Sequence, residues 1–578
     1  MDELLRAERS RRLLLLRALD NGVRRADAPA SYAQAWTLLA RVQRQAPAAF
    51  EDVLMSPNTG MWVSLAVRRI RGRVYEDAPL RVIVGHLAAL AAAAGARAEL
   101  DFSITVPTRG GRVPLPTLGC AVLPEKEPWG TALVEGRGGL LRITGAGGAV
   151  EVTPGWDRRE PGWLPVRRLV LGAGESAKPL ILEELDPYRT YPRPSEPRPL
   201  PQAEAEHWQA LLSGAWDVLL RDEPETARAM RHGLVSLAPT PTRERFRPHS
   251  STAGDAFGGV TASCPDDVPQ LAATLVHEFQ HIKLGSLIHL GPLTDPLPDG
   301  QEREELFYAP WRDDPRPLGG LIQGIYAFFG VARFWRAHRH TADPAYAPLA
   351  HFEFALWRTQ VRTALDAVRG HERLTPLGRT VVESLAERCA RWLTDDVPAM
   401  PLRLAQEAAG DHRARWRAHH LRPPSGAVAE AVRAWQRGDS CPPAALSDQP
   451  ARVPDTEVRF LDSAAVLARH HLTDPDGPWQ ETGRVEGADE AEILLTRGDH
   501  PAARTAFTTQ LTGKSASVSA WVGLGRSLSE DRTKAPASTL LLTFPERARA
   551  VHEALATATG RTVDPVGLAA WLAGPATP

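Results

Sequence analysis

The stretch "LVHEFQHIKLG" (Leu275–Gly285) decides how the chain around it is read. It carries His277, Glu278 and His281 in the spacing His-Glu-x-x-His. On a helix, side chains four apart lie on one face, so two imidazoles at this spacing can hold one divalent ion. Glu278 sits about 100° round the helix from His277, within reach of a metal-bound water or a ligand proton. In a chain of 578 residues with 18 histidines, chance supplies the pattern roughly 0.03 times. Leu271, Leu275, Phe279 and Ile282 give the helix a core face. Upstream, "SCPDDVPQ" (263–270) places acids and a proline in a first turn. The helix is expected to begin there and run to about Leu290. "AFGGVTAS" (256–263) reads as a strand leading into it.

A third metal ligand is less easily found. The protease pattern HExxHxxGxxH has Gly three residues after the second His, but here Gly285 is four after His281 and His289 is eight after it. On a continuing helix His289 points about 80° away from His281. A second protease class takes a Glu from another helix. Glu302, Glu304 and Glu305 lie in a charged, solvated stretch, and the helix expected after Pro317 contains no carboxylate. That helix carries a stripe of Gly320, Gln323, Ala327 and Gly330. Small residues let a second helix approach closely, which buries Gln323 in the middle, and a buried Gln needs partners. Three roles are open to it: metal ligand, orienting group behind a ligand, or helix–helix hydrogen bond. Arg312 and Arg316 flank "DDP" in "APWRDDPRP" (309–317). Guanidinium suits a forked grip on a carboxylate; the alternative is surface pairing with Asp313 and Asp314. Lys283 is one of only five lysines. It lies about 200° round from His281, from where its stem can snorkel.

Formal net charge is −1, so no global field favours nucleic acid or an anionic membrane. The longest apolar run, "LRVIVGHLAALAAAAGARAEL" (80–100), is interrupted by His86 and Arg97 and is not expected to span a bilayer. The first twenty residues read as an amphipathic helix, not a signal peptide. Cys120, Cys264, Cys389 and Cys441 are far apart, which argues against a disulfide framework or a cysteine zinc site. A soluble, cytoplasmic protein is expected.

The texture of the chain predicts an α+β fold, mainly helical. Residues 1–97 show helical periodicity. Residues 98–200 hold short alternating segments such as "AELDFSITV" and "LLRITG", an antiparallel β-rich region, closed by a Pro-rich linker. Residues 201–422 form a helical core around the motif, with helical segments near 316–338, 345–370, 376–395 and 399–419. Residues 423–578 form a helical extension. There, Trp521, Leu524 and Gly525 give W-x2-L-G, and a 34-residue phase puts Phe507, Ala503 and Gly498 on tetratricopeptide-like positions. Such a repeat implies peptide or protein contact; ordinary helical hairpins are the alternative.

"VHEFQHIKLG" followed by "FYAPWRDDPRPLGGLIQGIYAFFGVARFW" resembles the HExxH-type 2-oxoglutarate-dependent peptide β-hydroxylases. It is also similar to the HExxH domain fused behind the radical SAM portion of certain bacterial peptide maturases. The likeness continues through "RSRRLLLLRAL", "LPTLG", "LDPYR" and "STAGDAFGGVTAS", so it covers most of residues 1–400. No CxxxCxxC occurs, so this looks like the free-standing form. The resemblance implies an Fe(II) enzyme that uses 2-oxoglutarate and O2 to hydroxylate a side-chain β-carbon in a ribosomally made precursor peptide. A peptide maturase is a further partner it suggests. By carry-over His277 and His281 hold iron, and Glu278 belongs to the motif. Arg312 and Arg316 are candidates for the distal carboxylate of 2-oxoglutarate, with Lys283 as a further cofactor-binding candidate. Gln323 is the candidate third ligand, with Asp314, His249 and His289 also open. An HExxH zinc peptidase is the alternative, and a non-catalytic, metal-containing peptide-binding protein is a further one.

Overall fold

The structure is a computed structural model that describes residues 1–574 apart from 24–27, 126, 191–192, 299–303 and 514–516. Glu302 therefore lies outside the described residues. The chain forms two compact units, Met1–Gly291 and Pro292–Pro578. The region expected at 201–422 spans that boundary, and the motif helix belongs to the first unit.

The first unit opens with α1 (Asp2–Gly22), α2 (Tyr32–Gln45), α3 (Pro47–Leu54), α4 (Pro57–Ile70) and α5 (Leu80–Arg97). α5 is apolar on every face because every face is covered. By length and composition it could cross a membrane, yet 83% of it is buried within the protein, as an all-round hydrophobic core helix should be. It packs on a seven-stranded sheet of β1 (Phe102–Arg109), β2 (Arg112–Leu115), β3 (Gly119–Val122), β4 (Trp129–Arg137), β5 (Leu140–Gly145), β6 (Gly148–Val152) and β7 (Trp163–Pro165). The order is β6-β5-β4-β1-β2-β3-β7, antiparallel throughout. In β1, Ile104 and Val106 face the core while Ser103 and Thr105 face out, the alternation from which the sheet was expected.

A second, five-stranded sheet contains β8 (Arg167–Leu171) and β9 (Lys178–Leu182), then, after α6 (Gln202–Asp222) and α7 (Pro224–Gly233), β10 (Ser236–Thr240), β11 (Ser250–Ser251) and β12 (Gly259–Ser263). Its order is β11-β12-β10-β9-β8. Within residues 98–200 every strand pair is antiparallel, as expected, and beyond them β10 runs parallel to both β9 and β12. The physical reason is the connection, since a crossover through α6 and α7 returns the chain in the same direction, which a hairpin cannot. The strand expected before the motif is β12, and it leads into α8 (Val268–Leu290).

The second unit begins with the short pair β13 (Leu306–Phe307) and β14 (Arg316–Pro317), followed by α9 (Leu318–His338), α10 (Ala347–Val368), α11 (Pro376–Trp392) and α12 (Ala399–His420). These four helices are the four expected there. β15 (Leu421–Arg422) and β16 (Ala451–Arg452) pair across α13 (Ser425–Arg437). The rest is helical: α14 (Ser463–Thr473), α15 (Glu490–Thr496), α16 (His500–Thr512), α17 (Ala520–Ser527), α18 (Ala535–Thr543), α19 (Pro545–Thr559) and α20 (Pro565–Leu572). Ala503, Phe507, Trp521 and Leu524 share one core, and Gly498, at φ +84°, makes the left-handed turn between α15 and α16.

Candidate metal centre

α8 is set by its own ends. Asp267 caps it by accepting from the Gln270 backbone N–H at 2.9 Å, satisfying a donor with no partner inside the helix. Leu271, Leu275, Phe279 and Ile282 are buried. The helix runs unbroken for 23 residues, so Gly285 is an ordinary helical position. His289 accordingly points elsewhere, with Nδ1 4.0 Å from Glu8 Oε2 on α1.

His277 and His281 converge. Their Nε2 atoms are 3.2 Å apart and their rings meet edge to face, centroids 4.8 Å apart. One ion at about 2.0–2.1 Å from each nitrogen, with a ligand angle between a right angle and tetrahedral, holds the pair about 2.8–3.4 Å apart. The donor pair therefore fits a single divalent metal. Burial pushes the His277 imidazolium down to about 4. Burial, then the neighbouring His277, push His281 to about 4 as well, against the opposing pull of Glu278. Both rings are neutral near pH 7, the form that binds metal.

Glu278 is 1% exposed, and both of its oxygens are held. Ser250 Oγ donates to Oε1 at 2.6 Å, and Thr252 Oγ1 donates to Oε2 at 2.6 Å. Oε1 is also 3.9 Å from His277 Nε2. A carboxylate this deep stands only when hydrogen-bonded. Ser250 and Thr252 were not singled out by sequence reasoning. The signal was the cluster "HSSTAG" (249–254), short hydroxyl residues just ahead of a strand.

The loop carrying these hydroxyls is fixed from below. Arg12, fully buried, donates to Glu8 Oε1 at 2.8 Å, to the carbonyls of Leu54 and Ser56 at 2.8 and 2.6 Å, and to Phe257 O at 3.2 Å. Arg11 and Arg68 both grip the Asp255 carboxylate. The Asp255 carbonyl lies 2.1 Å from where a Cβ on Gly60 would be, so only glycine admits the loop there. The segments "RSRRLLLLRAL" and "STAGDAFGG", 240 residues apart in the chain, are thereby one structure.

The remaining candidates divide. Among the described residues no group of three or more His, Cys, Asp or Glu is arranged to hold a metal. His249 is exposed, and its backbone N–H donates to Ser263 Oγ at 2.8 Å. The Lys283 ammonium lies 5.5 Å from the Phe279 ring centre, consistent with a snorkelling stem.

In the second unit, Arg312 Nε donates to Asp314 at 2.8 Å and Arg316 Nη1 to the same carboxylate at 3.3 Å. Against burial, which opposes it, these two arginines hold the Asp314 carboxyl below its ordinary value. Asp313 turns away to accept from the backbone N–H groups of Phe460 and Leu461. One expectation for the stripe needs correction: Gln323 is exposed, not buried. Ala327 and Gly330 are buried and α9 packs along α10, as small residues allow, while nearer the start of the helix Gly320, and Gly324 off the stripe, make room for side chains: the Arg316 guanidinium lies 3.3 Å, and the Trp311 indole 2.5 Å, from where their Cβ atoms would be. The cause is the tight β14-to-α9 turn, which folds the segment preceding α9 back along the helix face.

No family model matches the chain, and no curated protein matches it significantly.

Proposed function

We propose that the chain is an Fe(II)- and 2-oxoglutarate-dependent oxygenase that hydroxylates a side-chain β-carbon in a ribosomally made precursor peptide. The observation that carries the reading is the His277–His281 pair, two neutral imidazoles with Nε2 atoms 3.2 Å apart, beside a carboxylate engaged on both oxygens. A hydrolytic base must reach water; Glu278 is 1% exposed and accepts from Ser250 and Thr252, which favours a structural part for it. Two His ligands leave positions open for a keto acid and O2. Fe(II) bound there supplies C–H oxidation coupled to decarboxylation of 2-oxoglutarate to succinate.

The chain's own residues hold and orient. His277 and His281 are the ligands, and Glu278 positions the helix face under them. Lys283 adds positive charge on the far face of α8. The zinc-peptidase reading retains one supporting observation, the 3.9 Å between Glu278 Oε1 and His277 Nε2.

The test is turnover of the purified chain with Fe(II), 2-oxoglutarate, ascorbate and a precursor peptide. Succinate should form, and the peptide should gain one oxygen atom. Cleaved peptide released by zinc-restored protein without oxygen would replace this reading with the peptidase.

A further inference from the structure

A polar cleft that no residue of α8 lines lies in the first unit. It encloses about 390 Å³ between β8, β9, the end of α7 and the residues around Thr117. Its walls carry Arg97, Arg168, Lys178 and Arg231 against a single acid, Asp52. We propose that this cleft binds a soluble phosphorylated small molecule, its phosphate held by Arg168 and Arg231 in the field of the buried Lys178, and its apolar part lying on Val170, Pro179 and Ile181, which share the Arg168 face of β8 and β9.

The charge balance makes the first argument. Asp52 is already engaged, accepting from Arg97 Nη1 at 3.1 Å. Lys178 is 3% exposed, and its ammonium donates to the carbonyl of its neighbour Pro179 at 2.6 Å. An ammonium has three donors, and a buried one without an anion is costly. Burial, and next to it the guanidinium of Arg231, push Lys178 down to about 8. Like charges gathered in one cleft with their acid already taken are stabilised by an anion that arrives from outside.

The second argument is backbone strain. Thr117 has φ +69°, a left-handed conformation that is unfavourable for a β-branched residue. That geometry turns its carbonyl towards two guanidinium groups, accepting from Arg97 Nη2 at 3.1 Å and Arg168 Nη2 at 2.5 Å. Its hydroxyl accepts from Arg97 Nε at 2.7 Å. Strain of this kind persists where it positions binding groups. Here it anchors Arg97 and leaves Arg168 with free donors at the rim. Several donors around one volume suit phosphate, which presents three acceptor oxygens and up to two charges. The apolar floor fits an organic body rather than a bare ion.

The experiment titrates the full chain with inorganic pyrophosphate by calorimetry at fixed salt. Saturable binding is expected, weakened at least about tenfold in Arg168→Ala and in Arg231→Ala. Both side chains are exposed, so neither change should disturb folding. His277→Ala should bind as the parent does, separating this site from the metal motif. Absence of saturable binding, or unchanged affinity in both arginine variants, overturns the proposal. So does tighter capture by phosphatidic acid vesicles or by a glutamate-rich peptide than by pyrophosphate, since either assigns the cleft to another class of partner.

Discussion

Ser250 Oγ reaches Glu278 Oε1 at 2.6 Å, so the strand edge at β11 holds the motif carboxylate in place. This bond and its twin from Thr252 turn a sequence signature into a fixed geometry.

Ser250→Ala and Thr252→Val each leave one buried carboxylate oxygen without its donor. Each should cost about 1.5–3 kcal/mol, the range for a hydrogen bond to a charged group. Urea unfolding of the full chain measures it. Glu278→Gln keeps the volume and restores part of the bonding, so it should cost less than Glu278→Ala.

His277→Ala and His281→Ala should each weaken metal binding by more than the about 10–100-fold that an outer hydrogen-bond partner contributes. Equilibrium dialysis with Fe(II) under nitrogen, or with Zn(II), reads this without turnover. His289→Ala should leave affinity unchanged, because that ring faces Glu8.

Acid should destabilise the protein through its buried histidines. His277 and His281 titrate at about 4 when folded and near 6.5 when unfolded. The unfolded chain therefore binds more protons between those values, and stability falls as pH drops through that window. His86, at about 3, and His412, at about 4, act in the same direction. The double His277→Ala, His281→Ala variant should show a shallower loss of stability with acid, by up to two protons, in urea midpoints compared across pH.

Arg12→Leu should be severe. It strands the buried Glu8 carboxylate and three backbone carbonyls, of Leu54, Ser56 and Phe257. Breaking a buried pair on one side costs about 3–5 kcal/mol. Loss of cooperative thermal unfolding checks it, and adding Glu8→Gln should recover part of the loss.

Gly60→Ala should displace the loop bearing Ser250 and Thr252, because the new methyl would meet the Asp255 carbonyl. A fall in metal affinity with little change in helix content would show that the loop, not α4, gave way. Unchanged affinity would mean the loop does not position the site.

Much was legible in the sequence. The start of α8 within "SCPDDVPQ", the core face of Leu271, Leu275 and Phe279, and the pairing of His277 with His281 follow from spacing on one helix, where neighbours in space are neighbours in the chain. The alternation of β1 and the helical run of the second unit were legible for the same reason, since each pattern repeats within a few residues.

Tertiary structure decided what depends on distant segments meeting. That β10 lies parallel to β9 was set by the crossover through α6 and α7, which local periodicity does not encode. The hydroxyl partners of Glu278, the Arg12 anchor that brings residues 12 and 257 together, and the cationic cleft around a strained Thr117 all rest on such meetings. In each, a charged or polar group is buried only because a remote segment satisfies it. The sequence alone determined where two histidines share a helix face, and the folded chain determined what surrounds them.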